Sequence, residues 1–295
     1  MLLSLVAAYG RSMIMTDVVA ILGARGFGLP CARRLGKART LLLGDISAEV
    51  LASTADILTR EGYRVETSLI DVSDKASVAS FAAKAASLGR LVAVVHTAGI
   101  SPRMGSPERV FAVNLVGTIN VMDAFLPHAL PGTVCVVIAS NAANYAPVPT
   151  ELESLMALGA PEAIVAEASK VPGAETGLGA YWLSKRCNQL RVQSAAPAWG
   201  ARGARIVSVS PGMMSTEMIH FERAQGAPVD EAVSRLPVGR IGLPDEIAIA
   251  VEWLCSHDAA FVTGTDLLVD GGQVAGIRWA GSMGENPTDA STQAG

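Results

Sequence analysis

The sequence predicts an α/β fold of the doubly wound kind, a parallel sheet of about seven strands with helices on both faces. Short runs rich in Val, Ile and Leu alternate with longer amphipathic segments, the rhythm of βαβ units. The apolar runs are continuous, as expected of parallel strands buried on both faces. The first of them leads through a glycine-rich turn into a helix, the order in which such sheets place a ligand.

The strands are expected at 17–22 (DVVAIL), 39–44 (RTLLLG), 64–69, 91–95 (LVAVV), 133–139 (TVCVVIA), 204–209 (ARIVSV) and 266–269 (DLLV). Helices are expected at about 27–36, 47–61, 74–87, 106–126, 180–200 and 244–256. The rhythm breaks at 142–179, where Pro147, Pro149, Pro161 and Pro172 flank two short helical patches. This segment reads as an insertion carried by one domain over 16–279. Residues 1–15 read as an N-terminal extension and 280–295, small and polar, as a disordered tail.

Of the 295 residues, half are hydrophobic, enough for one sizeable core. A net charge of −4 implies no basic surface for nucleic acid. Cys31, Cys135, Cys187 and Cys255 are scattered without a CxxC pair, as are free thiols of a reducing cytosol. The four histidines show no metal-ligand spacing, so no metal is expected. No apolar run approaches the ~20 residues of a membrane span. A cytoplasmic protein without membrane partner is expected.

The turn Gly23-Ala24-Arg25-Gly26-Phe27-Gly28 stands between a strand and a helix. It is either a site where backbone approaches a pyrophosphate at a helix N-terminus or a tight β-to-α turn. Asp45, ending the second strand before Ile46, can accept hydrogen bonds from both adenosine ribose hydroxyls and repel a 2′-phosphate, or cap the next helix. Arg25 pulls the other way, toward a 2′-phosphate. Asp71-Val72 after the third strand either meets the adenine edge or caps a helix.

Tyr181-Trp182-Leu183-Ser184-Lys185 puts a phenol and an ammonium on one helical face. A phenol titrates near ~10, and a neighbouring ammonium brings it toward the useful range. Ser140 ends the fifth strand, at the edge where open sheets bind ligands. Asn114 stands in an apolar helix, so its amide is either a packing hydrogen bond or part of a polar relay.

Together these residues make the chain resemble the short-chain dehydrogenase/reductase family, compact branch, from about Asp17 to Gly272. The resemblance also rests on His96-Thr97-Ala98-Gly99, Pro211-Gly212 with Thr216, Arg240-Ile241-Gly242-Leu243-Pro244-Asp245-Glu246, Val262-Thr263-Gly264 and Val269-Asp270-Gly271-Gly272. It implies a Rossmann fold and an NAD-dependent oxidoreductase, NADP being the alternative, that interconverts a secondary alcohol and a ketone. Tyr181 would be the acid/base, Lys185 would lower its pKa and bind the nicotinamide ribose, Ser140 would hold the substrate oxygen and Asn114 a relay water. The cofactor would meet Gly23, Arg25, Gly26, Phe27, Gly28, Asp45, Ile46, Asp71, Val72, Thr97, Ala98, Gly99, Pro211, Gly212, Met214 and Thr216. The family's habit implies a homo-oligomer, dimer or tetramer, built partly on the helices that bear Asn114 and Tyr181. An enoyl reductase of this fold would widen the Tyr-to-Lys interval, and a non-catalytic NAD(P)-sensing protein could dispense with Tyr181 or Lys185.

Three departures mark this chain. One residue is missing between Gly23 and Gly26. The family's Asn-Asn-Ala-Gly is His96-Thr97-Ala98-Gly99. Ser140 and Tyr181 are separated by 142–179, expected to form part of the substrate pocket or a lid. Met213, Met214, Met218, Ile219 and Phe221 suggest a hydrophobic, alicyclic or steroid-like substrate, whereas Arg103, Arg109 and Arg223 would suit an anionic one.

Overall fold

The computed structural model describes residues 16–146 and 148–279. The expected N-terminal extension, the C-terminal tail and Pro147 lie outside the described residues. The seven strands are β1 (Asp17–Leu22), β2 (Thr40–Asp45), β3 (Arg64–Leu69), β4 (Arg90–His96), β5 (Val134–Ile138), β6 (Arg205–Pro211) and β7 (Asp266–Val269). All neighbours pair parallel, in the order β3-β2-β1-β4-β5-β6-β7. The chain winds outward one way from β1 to β3 and the other way from β4 to β7, so the connections after β1 and β4 diverge and leave a crevice at the strands' carboxyl ends.

Alternation along each strand sorts the core into two layers. Val18, Ala20, Leu22, Val94 and Val137 pack with Phe81, Phe125 and Trp199, from α3 (Lys75–Leu88), α4 (Pro107–His128) and α7 (Gly177–Gly200). Val19, Ile21, Leu43, Val95 and Val136 face Cys31 and Leu35 of α1 (Gly28–Leu35), Leu58 of α2 (Ala48–Arg60) and Val251 of α10 (Pro244–Cys255). Side-chain caps fix the helix starts: Ser47 accepts from the Val50 N–H, Asp74 from Ala76 and Thr176 from Gly179. Helix α4 has the length and mean hydropathy (1.5) of a membrane span, yet 67% of that window is buried inside the fold. It is a core helix, apolar nearly all round because it is covered nearly all round.

The insertion forms a short 3-10 turn (Asn141–Tyr145) and two helices, α5 (Thr150–Leu158) and α6 (Pro161–Ala168). Leu152, Met156, Ile164, Ala168, Val171 and Ala174 form a third apolar cluster with Val110, Phe111, Leu115 and Ile119 of α4 and Ala180, Leu183, Cys187 and Leu190 of α7. Arg186 of α7 donates to Glu153 at 2.9 Å, and Arg191 to the carbonyl of Gly159 at 3.0 Å. The α4 and α7 surfaces that the resemblance offers to a second subunit are therefore covered by the chain's own helices. Ile164 is fully buried in this cluster. Ile164→Ala should cost about 2–4 kcal/mol in chemical denaturation, whereas an unchanged midpoint would mean that α6 is only loosely attached.

Candidate active site

The glycine turn is tight: the Gly28 N–H donates to the Arg25 carbonyl at 2.8 Å, closing one β-turn between strand and helix. A Cβ on Gly28 would collide with the Gly23 carbonyl, so Gly28 lets α1 close onto the turn. Gly26 differs: its φ is +55° and a Cβ there would meet nothing within 4 Å. It is the glycine whose backbone faces open space. The first turn of α1 has neither an acidic residue nor a side-chain cap; with the Gly28 N–H on Arg25, the Cys31 N–H on Phe27 and no N–H on Pro30, the Leu29 N–H remains for an acceptor from outside. Pro30, inside this turn, costs no hydrogen bond.

Asp45, at the end of β2, accepts from the Ala24 N–H through one oxygen and from the Ser47 N–H through the other, both at 3.0 Å. It ties the glycine turn to β2 and leads into α2, whose cap is Ser47. Asp71 makes a turn with Ser73, accepting its N–H at 2.9 Å and its hydroxyl at 2.6 Å, and lies 3.6 Å from Arg109. Burial opposes its ionisation, but Ser73 and Arg109 together hold its carboxyl below the usual range. After β4, the Thr97 hydroxyl donates to the Gly23 carbonyl at 2.7 Å, which fixes the second wall of the crevice to the glycine turn.

These elements enclose a cleft of about 540 Å³. It brings together Gly23, Arg25, Gly26, Phe27, Asp45, Ile46, Asp71, Val72, Thr97, Ala98, Gly99 and Thr216. Gly28, Pro211, Gly212, Met214, Tyr181 and Lys185, also expected at the cofactor, are not on its wall, nor are Asn114 and Ser140: Met214 is buried in the core, and Gly212 backs onto Asp270, where a Cβ would lie 2.6 Å from the Asp270 Cα. Sequence reasoning gave no place in the cleft to Ile70, Ile100, Val113 or Glu217, which also line it. Those apolar residues look like any core residue in sequence, and only the shape of the crevice exposes them. Helices α5 and α6 contribute nothing to this wall.

Gly99 joins the cleft to the chemistry. A Cβ on it would lie 3.0 Å from Asn114 Oδ1 and 3.7 Å from Lys185 Nζ. Asn114 stands within a π-helical stretch of α4 (Phe111–Val116), a widening common at functional sites. Its amide donates to the Ile100 carbonyl and accepts from the Ile100 N–H, both at 2.9 Å. The side chain thus anchors the loop after β4, the packing hydrogen bond that was one of the two alternatives left by its buried position.

Lys185, on α7, is 5% exposed and donates to the Ile138 carbonyl of β5 at 3.0 Å. Burial lowers its ammonium to about 8. Its Nζ lies 5.6 Å from the centroid of the Tyr181 ring. Burial raises the Tyr181 phenol above its ordinary value, the neighbouring Ser140 hydroxyl pulls it down, and Glu222 pushes it up. Burial is the largest of these influences, so the phenol stands above its ordinary value, whereas the Tyr-to-Lys spacing alone suggests a lowering. Ser140 lies two residues beyond β5 and caps the 3-10 turn, its Oγ accepting the Ala142 N–H at 3.2 Å.

Helix α8 (Glu217–Ala224), capped by Thr216, overhangs the cleft with Met218 and Phe221. It is held from both sides, by Arg25 to Glu217 at 2.9 Å and by Arg103 to Glu222 at 3.1 Å. Arg223 pairs with Asp230 of α9 (Val229–Ser234) at 2.8 Å. The three arginines that would suit an anionic substrate are thus engaged with carboxylates, Arg109 with Asp71 included.

Comparison with known proteins agrees with this geometry. A family model described as short chain dehydrogenase matches residues 17–150, and one described as Enoyl-(Acyl carrier protein) reductase matches 150–273. The short-chain dehydrogenase/reductase bsc3 of Alternaria brassicicola is 37% identical over 273 residues, 88% of this chain and 96% of its own length. The 3-alpha-hydroxysteroid dehydrogenase/carbonyl reductase of Comamonas testosteroni is 30% identical, over 89% of this chain and 98% of its own. Among solved structures, levodione reductase superposes with a TM-score of 0.72 at 25% identity, covering 88% of this chain and 98% of that one. With its seven-stranded parallel sheet and these relatives, this chain belongs to the short-chain dehydrogenase/reductase family, whose members act on alcohol and carbonyl groups with NAD(P).

Proposed function

We propose that the protein is an NAD-dependent dehydrogenase/reductase interconverting a hydrophobic secondary alcohol and its ketone. The observation that carries this is the convergence of Ser140, Tyr181 and the buried Lys185 at the carboxyl end of β5, next to the cleft. A nicotinamide dinucleotide, held by the glycine turn, α1 and Asp45, supplies or accepts the hydride. The open backbone of Gly26 and the uncapped first turn of α1 suit its pyrophosphate.

Tyr181 gives its proton to the carbonyl oxygen in reduction and takes one in oxidation. Ser140 donates a hydrogen bond to the same oxygen, and Lys185 places positive charge beside the phenolate. Because burial favours the phenol, oxidation of the alcohol should accelerate as pH rises, and reduction should accelerate as it falls. A panel of secondary alcohols and ketones, followed at the nicotinamide absorbance, tests the reading. Tyr181→Phe should lower kcat by about 10²–10⁴-fold with dinucleotide binding intact; full activity in that variant would refute the mechanism.

Asp45 supports NAD, since its carboxylate would face a 2′-phosphate, while the charge of Arg25 is already paired with Glu217. By calorimetry NAD should bind more tightly than NADP, and Asp45→Asn, which keeps the acceptor but removes the charge, should narrow that gap by about tenfold, or 1.4 kcal/mol. Tighter binding of NADP by the unaltered protein would reverse the assignment. The apolar rim of Ile100, Met104, Met218 and Phe221 supports an alicyclic or steroid-like substrate, consistent with the hydroxysteroid activity named for the Comamonas relative.

With α4 and α7 covered, the oligomer we propose is a dimer through the sheet edge. There β7, α10 and the turn between them expose Ile249, Trp253, Phe261 (103%) and Leu268. Light scattering should give a dimer that Trp253→Glu with Phe261→Asp converts to monomer without loss of thermal stability. A tetramer unaffected by these changes would contradict it.

A further inference from the structure

β4 ends in His96, a buried ring that the proposed mechanism leaves unused. Its partners in the sheet, Leu22 of β1 and Val137 of β5, are apolar. From α4 it meets the neutral Thr118, and the charged group that acts on it is Lys185 of α7.

His96 Nε2 lies 3.0 Å from the Thr118 hydroxyl oxygen. That hydroxyl has one proton and donates it to the main-chain carbonyl of Asn114 at 2.9 Å. Thr118 can therefore only accept from His96, so the imidazole is the Nε2–H tautomer and Nδ1 carries a free lone pair. Nδ1 is buried without a partner, and so are both amide atoms of Asn188, one turn along α7 from Lys185. Unpaired buried polar atoms are costly, and a bound water with two to four polar partners is the usual remedy.

We propose that His96 is a positioning residue for the acid/base set. Through Thr118 it orients the Asn114 carbonyl, and through Nδ1 it holds a buried water to which Lys185 donates. Nδ1 accepts a hydrogen bond from the water, and the Lys185 ammonium donates one to the water's oxygen. The arrangement favours the ammonium and fixes its direction toward Tyr181. It works because the imidazole stays neutral: burial, helped by the charge of Lys185, lowers His96 to about 3.

The inference rests on the proposed acid/base roles, so its test has readouts independent of turnover. In ¹⁵N-labelled protein, NMR should show His96 as the Nε2–H tautomer, unchanged from about pH 5 to 9. His96→Leu should lower the titration midpoint of Lys185 below that of the unaltered protein, and Thr118→Val, which removes the anchor without touching the ring, should abolish the single tautomer. A Nδ1–H tautomer, a His96 that titrates near neutrality, or an unmoved Lys185 midpoint would overturn the proposal whether or not a substrate is found. With a substrate from the panel, His96→Leu should lower kcat about tenfold, short of a direct acid/base loss, and shift the pH profile with KM little changed. His96→Asn, which restores a donor and an acceptor, should recover most of it. Normal tautomer and Lys185 behaviour in a protein that turns over no alcohol or ketone would count against the proposed function and leave this arrangement standing.

Discussion

An ammonium group keeps its charge inside a protein only where other polar groups replace the water it has lost. Lys185 is such a group, buried against the end of β5 with a carbonyl as its acceptor. The neighbouring structure serves that placement. Gly99 has no side chain, and a larger residue there would press against both the Asn114 amide and the Lys185 ammonium. Asn114 ties the loop after β4 to α4, and the parallel pairing of β4 with β5 brings this loop beside Ile138. The site is a consequence of the strand order: only between β1 and β4 do successive connections part, and the glycine turn, Thr97 and Asp45 line that opening.

Much of this is legible in the residues themselves. The seven strands are readable because a strand buried on both faces has little choice but Val, Ile, Leu and Ala, and each lies within two residues of its expected place. The glycine turn is readable from its context between strand and helix, and the Tyr181–Lys185 pair from helical spacing. What the residues conceal depends on partners far along the chain. Arg25 could be a phosphate ligand until Glu217, 192 positions away, is found beside it. Arg109 could serve an anionic substrate until Asp71 is found beside it. The widened turn around Asn114 has no sequence signature, because it comes from packing rather than propensity. The direction of the Tyr181 shift was likewise hidden, since spacing reports a neighbouring charge but not the depth of burial.

The insertion shows the same division. Its prolines and helical patches are visible in sequence, but its position in the chain, between Ser140 and Tyr181, suggests a lid over the substrate. The structure instead lays α5 and α6 along the outer surfaces of α4 and α7, with Ile164 and Met156 fully buried. The two helices that carry Asn114, Tyr181 and Lys185 are thereby braced from within the subunit. That packing sets α7, with Tyr181 and Lys185, against the insertion on one side and the sheet on the other.

The central claim is that Lys185 is a buried, charged lysine adjusted by its surroundings to serve Tyr181. The most direct measurement is its titration, followed by NMR of isotopically labelled lysine in the intact protein, with Lys185→Arg to assign the signal. A midpoint at about 8 is the result this account predicts. A midpoint near ~10.4, the value of a solvated lysine, would contradict it.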